Sequence, residues 1–197
     1  MRPGDVSEKT YAECAERIGC EVEAFKAIKE VETGGIGGFF AEGKPSILFE
    51  GHIFWKELKK RGKNPEDFVV GNEDILYPKW TKDFYKGGIY EYSRLERAKR
   101  IDEVAALCSA SWGMFQVMGF NHTSCGYKDV HDFVKAMCES NDAQVRAAAE
   151  FIYRHPTMRN ALIEKDWEAF AKAYNGPGYK DNKYDEKMDT AYHKLKN

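Results

Sequence analysis

Apolar residues recur at three- and four-residue steps through the second half of the chain, and this periodicity is the feature that most restricts the fold. The segments that show it are KDVHDFVKAMC, AQVRAAAEFIYR, DWEAFAKAYNG and the terminal KYDEKMDTAYHKLK. This spacing places apolar side chains along one face of an α-helix, which then packs against neighbouring helices. The sequence therefore predicts a mainly helical protein.

The first half of the chain predicts a helix, a short strand and a second helix. Apolar residues of EVEAFKAIKEVE follow helical spacing until Thr33-Gly34-Gly35, so a helix should end beside Glu32. The apolar run 47–49, bounded by Pro45 and Gly51, is typical of a small strand. Helix is expected again in HIFWKELKKRG.

An irregular segment and one more helix are predicted in the middle of the chain. Residues 63–92 are rich in Gly, Pro and aromatic residues with little periodicity, as in a segment that lines a cleft. Ser93-Arg94-Leu95-Glu96 has the form of a capping box, so a helix should run over about 93–107.

Composition excludes several classes of protein. The chain has 197 residues and a net charge of −2, which gives no bulk electrostatic attraction for nucleic acid. No apolar run reaches the roughly eighteen residues of a membrane span. The N-terminal residues lack the apolar core of a signal peptide. We therefore expect synthesis in the cytoplasm; if the substrate lies outside it, another route must deliver the protein.

The five cysteines are odd in number and contain no C-x-x-C pair. This pattern favours reduced, mostly buried thiols over a disulfide framework. A mixed metal site of Cys108, His122, Cys125 and His131 is the alternative, but the spacing matches no zinc pattern. We expect neither a metal nor a cofactor.

Glu32 is the first candidate for catalysis. Glycoside hydrolysis needs a carboxylic acid that stays protonated near neutral pH, and partial burial against apolar groups raises a carboxyl pKa. A packed helix that ends in glycines provides such a setting. Taken alone, Glu-Thr-Gly-Gly is more typical of an exposed glutamate at a helix end.

Five motifs decide between these alternatives by their order: VETGG, ILFEGH, SASWGMFQVMG, AKAYNGPGY and a terminal YDEK. Together, over about residues 21–192, they resemble the N-acetylmuramidase domain of phage and bacterial endolysins. More distantly, their order is similar to that in goose-type lysozymes and soluble lytic transglycosylases. The resemblance implies a mainly α, lysozyme-like α+β fold with a small β element beside the substrate cleft. It also implies one catalytic domain over 1–197, without a separate wall-binding module.

The resemblance implies cleavage of the β-1,4 bond between N-acetylmuramic acid and N-acetylglucosamine, with Glu32 as general acid. Glu50 is the candidate second carboxylate. If Glu50 activates water, the two carboxyl groups should lie about 6.5–9.5 Å apart and the product should be inverted; a nucleophile would lie nearer about 5 Å. The alternative is a structural carboxylate bonded to His52 or to a backbone amide.

The matching motifs also imply a set of substrate-binding residues. In the SWG turn and helix start, Gly113 permits close backbone approach and Gln116 offers an amide to an acetamido group, whereas Trp112 is either a sugar contact or a core residue. Asn175 either forms a hydrogen bond with sugar or holds the Glu32 loop, and Gly176 ends the helix. The alternative is that Asn-Gly-Pro-Gly only ends the helix. Tyr92 and Tyr184 are weaker stacking candidates. The full predicted set is Ser111, Trp112, Gly113, Gln116, Tyr174, Asn175 and Tyr179.

Two other functions stay open. A lytic transglycosylase cleaves the same bond without water and leaves a 1,6-anhydro sugar, for which one catalytic Glu is enough. A catalytically inactive relative would bind wall glycan or serve as a structural part of a phage particle. In every case we expect a monomer whose partner is the peptidoglycan glycan strand, acting on the cell wall after holin-type or other release.

Overall fold

The computed structural model describes residues 6–33 and 37–197, and regular structure there is mainly helical. The helices are α1 Glu8–Ile18, α2 Val22–Thr33, α3 Gly51–Lys60, α4 Glu91–Ile101, α5 Glu103–Cys108, α6 Val130–Glu139, α7 Asn141–Tyr153, α8 Pro156–Glu164, α9 Trp167–Asn175 and α10 Tyr184–Lys196. The strands are β1 Phe39–Ala41, β2 Lys44–Pro45, β3 Ile47–Phe49, β4 Ala110–Trp112 and β5 Val117–Met118. The predicted fold class, helical with a small β element, is confirmed.

The β element consists of a β1–β2 hairpin and an antiparallel sheet in the order β3-β4-β5. Ile47 pairs with Trp112 and Phe49 with Ala110, so this sheet joins segments far apart in the chain. The predicted strand at 47–49 is confirmed. The helix start predicted near Ser111 is wrong, because the backbone of this segment finds its hydrogen-bond partners in β3.

The helix predicted over 93–107 is divided in two, and the capping box is wrong. α4 begins at Glu91, so Ser93 lies inside the first turn, where its hydroxyl donates to the Tyr90 carbonyl at 2.7 Å. Asp102 ends α4 in an extended conformation, and its carboxylate accepts from Ala105 N at 2.9 Å. Because this carboxylate caps α5 and also pairs with Arg61, the break is stabilised from outside the helix.

Helices from both halves of the chain bury α2. Its inward face, including Phe25 and Ile28, is fully buried, and Phe25 stacks on Phe115 with ring centroids 6.0 Å apart. α10 packs along α2, and its Met188 belongs to the same core. The helix that carries Glu32 is therefore held firmly by tertiary packing.

Two helices, α1 and α8, lie outside the segments predicted to be helical. α1 buries Tyr11, Cys14 and Ile18 at helical spacing, so its signal is present in the sequence. α8 begins with Pro156 in its first turn and has a weaker apolar stripe. None of the helices in the described ranges is both long and apolar enough to cross a bilayer.

All five cysteines are free thiols. Cys14, Cys108 and Cys125 are buried, while Cys20 and Cys138 are partly buried. Burial raises the pKa of Cys14 to about 11 and that of Cys125 to about 12. Because the thiolate is the reactive form, these buried thiols are inert at neutral pH, as predicted.

Candidate active site

The backbone of α2 places Glu32 in the last helical turn, one residue before the helix ends at Thr33. The predicted helix end is confirmed. The side chains of Glu32 and Thr33, together with residues 34–36, lie outside the described part of the structure. The role of Glu32 therefore stays a prediction that depends on its helix position.

Glu50 follows β3 directly and stands at the N-cap of α3, with its own N–H donating to Ser109 O at 2.9 Å. The Tyr85 hydroxyl lies 2.8 Å from both carboxylate oxygens of Glu50 and donates to them. His52 Nδ1 lies 3.3 Å from Oε2, and the Glu50 side chain is 14% exposed. The carboxylate is thus held in one place by a phenol 35 residues away in sequence.

Burial is the main influence on both titratable groups at this position. It raises the pKa of Glu50, while the Tyr85 hydrogen bond and the Arg94 charge act in the opposite direction. Burial and the charge of Lys56 lower the pKa of His52. Because His52 is then neutral near pH 7, its 3.3 Å contact is not an ion pair, and among the described groups its Nδ1 finds no aligned hydrogen-bond partner. The partner that fixes Glu50 is Tyr85, in place of the His52 contact considered from the sequence.

A buried ion pair lies behind β3. Glu91 and Arg94, with side chains 0% and 1% exposed, approach to 2.8 Å. Glu91 also accepts from the backbone N–H groups of Phe49 at 3.2 Å and Gly87 at 3.1 Å, and Arg94 donates to Phe49 O at 2.8 Å. An ion pair whose remaining hydrogen-bond donors and acceptors are satisfied in this way is tolerated in a protein core. It fixes the end of β3, and hence Glu50, to α4 and to the segment before it.

A cavity of about 430 Å³ opens beside β3, within the size range of small-ligand pockets. Its lining residues come from β1, from β3 and the residue before it, from the β4–β5 turn and from the start of α4 with the segment before it, namely Phe40, Ser46, Ile47, Leu48, Gly87, Gly88, Glu91, Gly113, Met114 and Gln116. Two of the predicted substrate-binding residues, Gly113 and Gln116, are therefore placed at a cleft.

The amide of Gln116 is occupied by its own turn. Ser111 Oγ donates to Gln116 Oε1 at 2.7 Å, and Gln116 Nε2 donates to Gly113 O at 2.8 Å. Gln116 has a φ of +49°, so these bonds also hold a left-handed backbone that a non-glycine residue rarely adopts. Gln116 lines the cavity and Ser111 holds its amide, and the contact of either residue with an acetamido group stays a prediction.

Two of the predicted aromatic contacts, Trp112 and Tyr179, are buried. Trp112 is 2% exposed and donates from its indole to Leu107 O at 3.1 Å, which supports the core alternative. Tyr179 is 3% exposed and donates to Glu168 at 2.6 Å. Tyr174 donates to Phe115 O at 2.8 Å. Both of these buried side chains contribute to packing, and a sugar contact by Trp112 or Tyr179 stays a prediction.

The remaining predicted positions lie at the end of α9 and on neighbouring elements. Asn175 is the last residue of α9, and Gly176, with a φ of +76°, ends the helix as predicted. The Tyr92 hydroxyl donates to Pro45 O at 2.8 Å and so joins α4 to β2. Tyr184 begins α10.

Two residues that organise the site were not singled out from the sequence. Tyr85 is one of 11 tyrosines and carries no local signal. Gln144 is 2% exposed; it accepts from Met114 N at 2.8 Å and donates to Gly38 O at 3.0 Å. It connects the β4–β5 turn to the chain leading into β1. Nowhere in 6–33 and 37–197 do three His, Cys, Asp or Glu side chains gather as a metal site would require.

Comparison with known proteins identifies the family. The family model for N-acetylmuramidase matches residues 21–196. The crystal structure of the Burkholderia AP3 phage endolysin superposes with a TM-score of 0.91 at 34% sequence identity, covering 100% of this chain and 73% of that chain. No curated protein matches the chain. The chain belongs to the N-acetylmuramidase family, and its fold and family together support peptidoglycan hydrolysis as its broad activity.

Proposed function

We propose that this protein hydrolyses the β-1,4 bond from N-acetylmuramic acid to N-acetylglucosamine, with Glu32 as general acid and Glu50 as the base that activates water. The observation that carries the proposal is the Glu50 carboxylate, which Tyr85 holds at 2.8 Å directly after the strand that borders the cavity. A buried carboxylate held by the Tyr85 phenol is suited to accept a proton, since no Lys or Arg side chain in the described part of the chain forms an ion pair with it.

The position of Glu32 suits the opposite task. The last turn of a helix carries partial negative charge from unpaired carbonyl groups, which disfavours a second negative charge there. A carboxyl group in this position tends to keep its proton, as a general acid must. We therefore expect two carboxyl groups in different environments, one protonated and one ionised, as the chemistry requires.

The reaction balances with one water molecule. Glu32 gives its proton to the glycosidic oxygen as the bond to C1 of N-acetylmuramic acid breaks, and Glu50 takes a proton from the water that attacks C1 from the opposite face. The product is a reducing N-acetylmuramic acid of inverted configuration. Neither step needs a metal.

The test compares Glu32→Gln and Glu50→Gln with Glu30→Gln, which alters an exposed carboxylate of the same helix. We expect each of the first two variants to lose at least about 10²-fold in turnover on purified wall, with Glu30→Gln near wild type. Near wild-type lysis by Glu32→Gln would end the assignment of the acid.

Product chemistry separates the proposal from its alternatives. With azide, Glu50→Ala should regain activity as the α-glycosyl azide, because a small anion attacks without a base. Products with 1,6-anhydro ends and a fully active Glu50→Ala would indicate a lytic transglycosylase. A protein that pellets with wall but clears none of it would be a binding module.

We propose as well that residues 1–197 act as one catalytic domain and as a monomer on the cell wall. The support is that Tyr11 of α1 and Met188 of α10 belong to one continuous core. A single sedimentation boundary at the monomer mass, 22.6 kDa, is the expected result.

A further inference from the structure

We propose that residues 78–90, here called the rim segment, form a binding site for an N-acetylated glycan strand that carries carboxylates, with Trp80 stacking on a sugar ring and Lys79, Lys82 and Lys86 attracting the carboxylates. The inference builds on the proposed function, since it names what the same site recognises. Trp80 and the three lysines belong neither to the motifs nor to the catalytic proposal.

Trp80 is an exposed aromatic side chain beside the candidate base. It is 64% exposed, although tryptophan is usually well buried. Its indole lies near the Tyr85 hydroxyl, and the same hydroxyl donates to Glu50 at 2.8 Å. One phenol therefore separates an open aromatic face from the candidate catalytic carboxylate. An indole has an apolar face and a polar N–H edge, which suits a sugar ring because the ring exposes C–H groups on its faces and hydroxyl groups around its edge.

The rim segment is held in place although most of it is exposed. Phe84 packs on Tyr77 with ring centroids 5.1 Å apart, and Gly87 N donates to the buried Glu91 at 3.1 Å. Gly87 and Gly88 also line the 430 Å³ cavity. Because the segment is already ordered, binding a ligand there costs little additional conformational entropy. The segment thus joins the outer surface at Trp80 to the cleft beside β3.

The rim segment carries an excess of positive charge on a protein whose net charge is −2. Lys79, Lys82 and Lys86 are exposed, and none of them forms an ion pair with a carboxylate in the described residues, while Asp83 is the segment's single acidic residue. Exposed, unpaired ammonium groups attract anions and raise the rate of encounter. Peptide-bearing N-acetylmuramic acid carries carboxylates, whereas a chitin oligomer carries none. The charge pattern therefore favours peptidoglycan over a neutral glycan.

The test measures binding of two ligands to the full chain by titration calorimetry, a neutral chitotetraose and a disaccharide muropeptide too short to be cleaved. Trp80→Ala should raise the Kd of both ligands at least about tenfold, and Trp80→Phe should recover part of the loss. Phe120→Ala is the matched control, because Phe120 is also an exposed aromatic residue, at 40%, and lies in the turn Gly119–Asn121. Its Kd values should equal those of the wild type.

The charge component has its own variants. Replacing all three rim lysines by Gln should raise the Kd of the muropeptide severalfold and weaken its salt dependence, while the Kd of chitotetraose stays unchanged. The triple change K128Q/K135Q/K172Q removes the same charge from exposed lysines of other segments and should leave both Kd values unchanged.

The outcomes distinguish this inference from the catalytic proposal. Wild-type binding by Trp80→Ala would overturn the stacking role, and an unchanged Kd and salt dependence in the rim lysine variant would overturn the charge role. Binding requires no turnover, so an active Glu32→Gln would refute only the catalytic assignment. If Trp80→Ala fails to fold, the change in tryptophan fluorescence on adding ligand is compared between Trp80→Phe and the wild type. An identical change in the two proteins would count against a role for Trp80.

Discussion

Replacing Tyr85 by Phe removes one hydroxyl and leaves the ring. In the structure this hydroxyl is the only described group that donates a hydrogen bond to the Glu50 side chain, at 2.8 Å to each oxygen. The bond stabilises the ionised carboxylate and so opposes the burial that raises the pKa of Glu50. We expect Tyr85→Phe to raise that pKa further.

The size of the effect follows from the kind of bond. A hydrogen bond to a charged group contributes about 1.5–3 kcal/mol, and one pKa unit corresponds to about 1.36 kcal/mol. The pKa of Glu50 should therefore rise by about 1–2 units. His52, Glu91 and Arg94 are the other titratable or charged groups that face Glu50 from α3 and α4, and the substitution leaves all three in place.

The assay is the pH dependence of kcat/KM on a soluble glycan. Glu50 must be ionised to act as a base, so activity falls as the pH drops through its pKa. In Tyr85→Phe this acidic limb should move to higher pH by about 1–2 units, while the alkaline limb, set by Glu32, should not move. The control is Tyr127→Phe, which alters a half-buried tyrosine that packs on Phe133.

Stability provides a second measurement of the same bond. A carboxyl group whose folded pKa is raised contributes stability at low pH that is lost as the pH rises through that folded value. Because Tyr85→Phe raises the pKa further, its loss of unfolding free energy should be larger at pH 8 than at pH 4. Identical acidic limbs together with a pH-independent stability difference would refute the reasoning.

Two further predictions concern the support of the site, and a third concerns its independence of metal. Glu91→Ala leaves Arg94 buried without its charged partner and should lower the free energy of unfolding, measured by urea denaturation, by about 3–5 kcal/mol. The control Glu96→Ala alters an exposed carboxylate and should cost at most about 1 kcal/mol. Gln144→Leu leaves the buried Met114 N–H without an acceptor and should lower the free energy of unfolding by about 1–3 kcal/mol in the same assay. An unchanged stability would show that Gln144 does not fix the β4–β5 turn. Dialysis against a chelator should leave lysis unchanged, and zinc-restored activity would contradict the metal-free mechanism.

Local pattern was enough to predict much of the helical fold. The helix end beside Glu32, the strand at 47–49 and the terminal helix α10 all follow from apolar spacing and flanking glycine or proline. These features depend on residues within one or two turns of each other. The order of the motifs identified the family for a related reason, since each motif is a short contiguous stretch.

The sequence alone determined where Glu32 and Glu50 fall along the chain, at a helix end and after a strand, because periodicity and turn residues act over a few positions. Only the tertiary structure decided what surrounds Glu50, since Tyr85 reaches it across 35 residues. Trp112 turned inward for the same reason: β4 pairs with β3, whose Ile47 lies opposite it. Burial and hydrogen bonds between distant segments set the pKa of a carboxylate, and those contacts exist only once the chain has folded.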